Sequence, residues 1–251
     1  MTQHISVSEL DRVLVIKLDR PERKNALTQA MYGAIADALD EAAEKGQCRA
    51  VIITGTADAF TAGNDLTDFA TGATEGKPPV QRFLETIRDT DLPVIAAVNG
   101  VAVGVGLTML LHCDLAFAAE SAAFRAPFPQ VGVVPEAGSS MLLPLAVGMA
   151  WANDILLAGR VLNASEALQA GLVSRVFADD ELLDRAMDVA QSLAASAPNA
   201  MRQSKQLIRQ HRAIVAERMA DEAVRFAAQL ASPEFAECTA AFMQKRKPVF
   251  G

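Results

Sequence analysis

The feature that most constrains the fold is the alternation of short apolar runs with helical segments. Ala50–Thr54 (AVIIT) and Val94–Val98 (VIAAV) are almost wholly apolar, as expected for strands buried on both faces of a sheet. A helix capped by Thr28 and running to Lys45 is predicted before the first run, and Pro79–Asp89 predicts a helix before the second. This order predicts α/β architecture with a largely parallel sheet.

The C-terminal part of the chain is predicted to be wholly helical. No strand signal follows Pro198, whereas Ala200–Gln210, Ala213–Leu230 and Pro233–Gln244 show helical patterns with apolar faces. Such faces must pack on the core or on another subunit. We therefore divide the chain into a core, residues 1–197, and a helical region, residues 198–251.

Composition excludes several classes of function. The net charge is −7, which argues against a nucleic-acid-binding surface. The three cysteines are widely spaced without a CxxC pair, so we interpret them as free thiols in a reducing compartment. The three histidines are scattered, so no metal site is expected, and His112 is interpreted as a core residue.

One segment raises the question of a membrane span. Leu92–Cys113 contains no Asp, Glu, Lys or Arg and has nearly the length of a span. However, Pro93 and the Asn99–Gly100 turn interrupt it, which favours a strand, a turn and a buried helix. The start, MTQHISVSEL, does not resemble a signal peptide. We expect a cytoplasmic protein without a membrane partner.

A single acid stands out in a long uncharged stretch. Between Arg125 and Asp154, Glu136 is the only ionisable residue, and apolar residues surround it in sequence. If the carboxylate is desolvated, its pKa rises toward neutrality, where it can take and return a proton. The alternative is a glutamate that points to water from a surface turn.

Two glycine-containing loops follow the buried strands. AVIIT leads through GTADAF into TAGNDL, and VIAAV leads through NG into VAVGVGL. Two backbone N–H groups from such loops could stabilise one oxyanion, although tight packing also explains glycines of this kind. The second loop reads GxxxGxG rather than GxGxxG, and no GxSxG motif is present, so neither a dinucleotide site nor a serine hydrolase is favoured.

The ordered motifs resemble the crotonase, or enoyl-CoA hydratase/isomerase, superfamily. They are RPERKNALT (Arg20–Thr28), AFTAGNDL (Ala59–Leu66), AAVNGVAVGVG (Ala96–Gly106), CDLAFAAESAAFRAPFPQVGVVPEAGSS (Cys113–Ser140) and LLAGRVLNASEALQAGLVSRV (Leu156–Val176). AGNDL followed by PEAGSS most resembles the peroxisomal-type Δ3,Δ2-enoyl-CoA isomerases.

The resemblance implies a spiral of ββα units with C-terminal helices that form a homotrimer or a dimer of trimers. It implies an acyl-CoA thioester substrate and no separate cofactor. The catalytic residues would be Glu136 as the base, with the backbone N–H groups of Asn64 and Val105 as oxyanion donors. The substrate-binding residues would be Lys24, Ala26, Leu27, Ala62, Gly63, Asn64, Asp65, Leu66, Gly104 and Lys245, with Arg246 as a further candidate for the CoA phosphates.

The departures from the family pattern predict the type of reaction. Hydratases of this family carry two glutamates, but the first aligns with Thr108 here, and the second falls near Ala126–Pro127, where no acid stands. Glu136 lies where the isomerases keep their base. One carboxylate suffices to move a double bond, since it can remove a proton from C2 and return it at C4. The sequence therefore predicts an isomerase of 3-enoyl-CoA thioesters.

Two alternatives stay open at this point. The first is another crotonase-type reaction, such as hydration or thioester hydrolysis, in which Asp65, Asp68 or Glu85 could serve. The second is a non-catalytic relative that binds acyl-CoA or RNA.

Overall fold

The structure is a computed structural model that describes residues 4–65, Asp68 and residues 76–251. The described residues form ten strands: β1 (Ile5–Leu10), β2 (Val13–Leu18), β3 (Ala50–Gly55), β4 (Ala59–Thr61), β5 (Val94–Val98), β6 (Val101–Val103), β7 (Leu115–Ala119), β8 (Ala123–Arg125), β9 (Leu162–Asn163) and β10 (Arg175–Phe177).

The described α-helices are α1 (Gln29–Lys45), α2 (Pro79–Asp89), α3 (Val105–Thr108), α4 (Ser139–Leu156), α5 (Ala164–Ala170), α6 (Leu182–Ala195), α7 (Pro198–Ile208), α8 (Arg212–Leu230) and α9 (Pro233–Met243). Short 3-10 turns cover Pro21–Arg23, Met109–His112 and Pro129–Val131. The α1 boundaries confirm the predicted helix, because Thr28 Oγ1 accepts a hydrogen bond from Met31 N at 3.2 Å.

Two sheets organise the core of the molecule. The larger has the order β1-β2-β3-β5-β7-β10; only its first pair is antiparallel, as β1 and β2 form a hairpin. The smaller has the order β4-β6-β8-β9, with parallel pairing up to β8. The successive pairs β3–β4, β5–β6 and β7–β8 each give one strand to each sheet, which yields the repeated ββα order of the predicted fold.

The inner strands of the larger sheet, β2, β3, β5 and β7, are buried on both faces, as the apolar runs of β3 and β5 predicted. On β2, Leu14 and Ile16 face the cluster that includes α1, whereas Val13 and Val15 face the cluster that includes α6. The alternation follows from the two-residue period of a strand.

The two short strands β4 and β6 were not predicted from the sequence. Ala59–Thr61 pairs with Val101–Val103 in the smaller sheet. Three residues are too few to show a two-residue period, so neither strand could be recognised by pattern.

The uncharged segment Leu92–Cys113 lies in the interior as β5, β6, α3 and a 3-10 turn, which confirms the strand, turn and helix prediction. Among the described residues, one helix, α4, is long and apolar enough to cross a membrane. It is kinked at Gly148 (φ 77°), and Leu143 and Ile155 pack in the core. One face of α4 therefore packs on the core.

The C-terminal helices α7, α8 and α9 occur where the sequence predicted them, with ends shifted by a few residues. They pack on the core: Lys205 Nζ of α7 donates to Leu92 O at 2.6 Å and pairs with Asp114 at 2.7 Å. The division at residues 197 and 198 stays a prediction.

Candidate active site

The two glycine-containing loops lie side by side because their strands are neighbours. Thr61 of β4 pairs with Ala102 of β6, and both chains continue in the same direction. The contact is close: a Cβ on Gly106 would lie 2.6 Å from Thr61 Cγ2, and a Cβ on Gly63 would lie 3.0 Å from Val103 O. The parallel pairing thus brings the loop that holds Asn64 beside the start of α3.

Gly104 makes the sharp entry into α3 possible. Its φ of 56° and ψ of −117° are open to glycine and strained for other residues. Its carbonyl accepts hydrogen bonds from Leu107 N at 2.9 Å and Thr108 N at 3.0 Å, so the helix begins at Val105. In helix geometry the N–H of such a first residue has no intrahelical acceptor. Val105 N–H therefore has no acceptor within the helix, and its role as an oxyanion donor stays a prediction.

The two segments predicted to bind the acyl-CoA run alongside each other. Ala62 N donates to Lys24 O at 2.9 Å, Leu27 N to Gly63 O at 2.8 Å, and Asp65 N to Leu27 O at 2.9 Å. The structure thus brings the loop of residues 24–27 and the stretch of residues 62–65 into one surface. Leu66 lies outside the described residues.

Two polar residues, half-buried Arg20 and buried Asn25, hold this surface together and were not predicted. Arg20 Nη1 pairs with Asp65 Oδ2 at 2.7 Å and donates to Ala26 O at 3.0 Å. Asn25 is fully buried, and its Nδ2 donates to Ala59 O at 2.7 Å. Both residues stand in the motif RPERKNALT, whose polar residues were the available signal.

Glu136 lies in the loop between β8 and α4, beside the buried residues Val133 and Ala137. Burial raises its pKa to about 7; a hydrogen bond from Thr108 opposes this rise, and the negative charge of Glu222 adds to it. The side chain is half-buried rather than exposed, so the environment favours the desolvated carboxylate over a surface turn.

Two buried hydroxyl groups donate hydrogen bonds at the candidate site, one to Glu136 and the other to Asn64. Thr108, fully buried at the end of α3, donates its hydroxyl to Glu136 Oε1. Tyr32 of α1, also fully buried, donates its hydroxyl to Asn64 Oδ1. Burial raises the Tyr32 pKa well above its ordinary value, and the nearby charge of Glu136 raises it further. Glu136 therefore contacts the helix that Val105 begins, and its charge acts on the tyrosine that contacts Asn64.

His112 supports Ala137, the residue that follows Glu136. Its Nε2 donates to Ala137 O at 2.7 Å, and burial lowers its pKa to about 4, so the ring is neutral at pH 7. This agrees with its interpretation as a core histidine. Ala137 has a φ of 59°, which is strained for alanine and needs such support.

Other acids near the site have structural partners. Asp65 pairs with Arg20, Asp68 Oδ2 accepts from Gln29 N at 2.6 Å, and Glu85 pairs with Lys77. They are less suited than Glu136 to act as a base. Across residues 4–65, 68 and 76–251, no group of three or more His, Cys, Asp or Glu side chains could hold a metal ion.

The structure shows the two basic C-terminal candidates in local contacts. Lys245 is exposed, and its backbone N–H donates to Phe242 O at 3.2 Å. Arg246 pairs with Glu237, where Arg246 Nη2 donates to Glu237 Oε2 at 2.9 Å. Their contact with a CoA group stays a prediction.

Comparison with known proteins points to one family. The family model described as enoyl-CoA hydratase/isomerase matches residues 9–251. The chain is 36% identical over 250 residues to 2,3-dehydroadipyl-CoA hydratase of Escherichia coli (strain K12), covering 97% of each chain. It is also 36% identical over 214 residues to enoyl-CoA delta isomerase 2 of Rattus norvegicus, covering 82% of this chain and 54% of that protein.

The fold has a close counterpart among solved structures. An enoyl-CoA hydratase/isomerase from Pseudoalteromonas atlantica T6c superposes with a TM-score of 0.98 at 53% sequence identity, covering 99% of this chain and 100% of the other.

Proposed function

Because the chain belongs to the enoyl-CoA hydratase/isomerase family, we propose that it converts 3-enoyl-CoA thioesters to 2-enoyl-CoA thioesters with Glu136 as the single proton shuttle. The observation that carries this proposal is the half-buried Glu136 carboxylate, with a pKa of about 7, which accepts a hydrogen bond from Thr108 of the helix that Val105 begins. Its neighbour Thr108 occupies the position where hydratases of the family carry a glutamate.

The proposed reaction has two proton transfers. The Glu136 carboxylate removes a proton from C2 of the 3-enoyl thioester, and the electron pair moves onto the thioester oxygen. The N–H groups of Asn64 and Val105 stabilise this enolate. The protonated Glu136 then returns the proton at C4, and the double bond forms between C2 and C3. A pKa near 7 suits both steps, because the group must be a base first and an acid afterwards.

The oxyanion donors supply a large part of the rate enhancement. Loss of one such donor in comparable sites raises the barrier by about 3–4 kcal/mol. The placement of Asn64 and Val105 should therefore matter nearly as much as the base.

The proposed CoA contacts, oligomeric state and location follow from the resemblance to the crotonase superfamily. The CoA group belongs to the substrate, so we propose no separate cofactor, and the segments of residues 24–27 and 62–66 with Gly104 and Lys245 would bind it. We propose a homotrimer or a dimer of trimers in the cytoplasm. The exposed apolar side chains of Val224, Phe242 and Met243 on the C-terminal helices support an oligomer.

Hydration of 2-enoyl-CoA is the second candidate. The name of the Escherichia coli relative, a hydratase matched over 97% of both chains, favours it. Against it, hydration needs one group to activate water and another to protonate C2, and Thr108 does not ionise in the required range.

The test is an assay panel of 3-enoyl-CoA and 2-enoyl-CoA substrates of graded chain length. We expect formation of the conjugated 2-enoyl thioester from 3-enoyl substrates and little 3-hydroxyacyl-CoA from 2-enoyl substrates. Rapid formation of 3-hydroxyacyl-CoA without isomerisation would replace the isomerase proposal by hydration. Tight binding with no turnover of either class would favour a non-catalytic relative.

A further inference from the structure

A buried glutamate of the C-terminal helices contacts the segment that follows Glu136. Glu222 of α8 is 4% exposed, and its carboxylate lies against the N-terminus of α4. It accepts hydrogen bonds from Gly138 N at 2.6 Å, Ser140 N at 3.0 Å and Ser140 Oγ at 2.5 Å. The contact joins parts of the chain more than 80 residues apart, so it was not visible in the sequence.

The residues that Glu222 holds belong to the loop that carries Glu136. Gly138 is the cap residue of α4 and has a φ of 72°. A carboxylate is well placed there, because the first N–H groups of a helix lack intrahelical acceptors and carry partial positive charge. Hydrogen bonds to a carboxylate are also stronger than those between neutral groups.

The loop is therefore held from two sides. Thr108 and His112 hold Glu136 and Ala137 on one side, whereas Glu222 holds the next residues on the other. α8 packs closely against the loop, since a Cβ on Gly138 would lie 3.3 Å from Val215 Cγ1. A shift of α8 would therefore move the loop.

We infer that Glu222 is a positioning residue for the reaction, because its hydrogen bonds from Gly138 and Ser140 fix the loop that presents Glu136 to the substrate. This inference rests on the proposed isomerase activity. It also gives the C-terminal helical region a part in the chemistry, in addition to packing.

Glu222 acts on Glu136 through charge as well as through the loop. Its negative charge contributes to the raised pKa of Glu136. Burial raises the pKa of Glu222, whereas the loop hydrogen bonds and the positive charge of Arg218 on α8 lower it. From α2, Arg88 reaches α8 at Met219, with Nη1 3.8 Å from Sδ. Replacing Glu222 by a neutral residue should therefore lower the pKa of Glu136.

Three variants separate position from charge: Glu222→Gln, Glu222→Asp and the control Glu217→Gln, which changes an exposed glutamate on the same helix. Each is compared with wild type for kcat, KM, the pH dependence of kcat and the melting temperature. In Glu222→Gln, the side-chain NH2 group replaces one of the two oxygens that accept from the backbone N–H groups of Gly138 and Ser140, so one of these hydrogen bonds is lost. We therefore expect the loop to shift and kcat to fall about tenfold or more, with little change in KM. The apparent pKa should shift downward.

Glu222→Asp keeps the charge but shortens the side chain, so we expect a comparable fall in kcat with an apparent pKa near that of wild type. If Glu222→Gln does not fold, this variant carries the test. Glu217→Gln should match wild type in every measurement.

Wild-type kcat and an unchanged pH profile in a folded Glu222→Gln or Glu222→Asp variant would overturn the inference, even if the melting temperature fell. A wild-type enzyme that turns over no 3-enoyl-CoA would instead overturn the proposed function. The two failures are therefore distinguishable.

Discussion

The hydroxyl of Thr108 donates a hydrogen bond to Oε1 of Glu136, the proposed base. Thr108 is fully buried and lies three residues after Val105 on α3. The same short helix thus has a candidate oxyanion donor at its start and, at its end, a hydroxyl that holds the proposed base.

Replacing Thr108 by valine removes this donor while keeping the shape of the side chain. The hydrogen bond lowers the pKa of Glu136, so its loss should move the apparent pKa of the reaction upward. Since a hydrogen bond to a charged group contributes about 1.5–3 kcal/mol, we expect kcat at pH 7 to fall about tenfold or more. Thr108→Ser, which keeps the hydroxyl, is the matched control and should restore most of the rate. Equal kinetics for the valine and serine variants would argue against this role.

The pH dependence of the rate should report Glu136 directly. Its pKa is raised to about 7, and the first step needs the carboxylate, so activity should rise with pH through this value and level off above it. Between pH 6 and pH 8 the ionised fraction of a single such group grows about tenfold. The measurement is kcat for a 3-enoyl-CoA across this range, with protein stability checked at each pH. A flat profile would mean that another group acts as the base.

Tyr32→Phe tests the support of the Asn64 loop. The variant keeps the aromatic ring, whose centroid lies 5.3 Å from that of Phe83, but removes the hydroxyl that donates to Asn64 Oδ1. Because a small misplacement of an oxyanion donor is costly, we expect kcat to fall about tenfold while KM changes little. Unchanged kcat in a folded variant would show that the Asn64 loop does not depend on this hydrogen bond.

Gly106→Ala tests whether the close approach of the two loops is required. The added Cβ would lie 2.6 Å from Thr61 Cγ2 and 3.1 Å from Thr61 O, so β4 and α3 would have to separate. We expect about a 100-fold loss of kcat, or a marked loss of stability. Gly33→Ala is the control: this α1 glycine has its nearest neighbour at 4.0 Å, and the change should stabilise the helix by about 0.5–1 kcal/mol. Wild-type activity in Gly106→Ala would show that the close approach of Gly106 to Thr61 is not required for the reaction.

The sequence predicted those parts of the fold and site that depend on local pattern. The strands β3 and β5 and the helix α1 follow from apolar runs and from the Thr28 cap, and the isolation of Glu136 among uncharged residues indicated a perturbed carboxylate. Contacts between distant segments could not be predicted in this way. Tyr32 of α1 contacts Asn64, which lies 32 residues later in the chain. Glu222 of α8 contacts Ser140, which lies 82 residues earlier.

The measurement that tests the central claim most directly is the turnover of 3-enoyl-CoA by Glu136→Gln. The amide keeps the size of the side chain but cannot take the C2 proton. We predict that kcat falls by about 10³-fold or more, while the affinity for a CoA thioester stays within about threefold of wild type. Turnover near the wild-type rate by the folded variant would contradict the account.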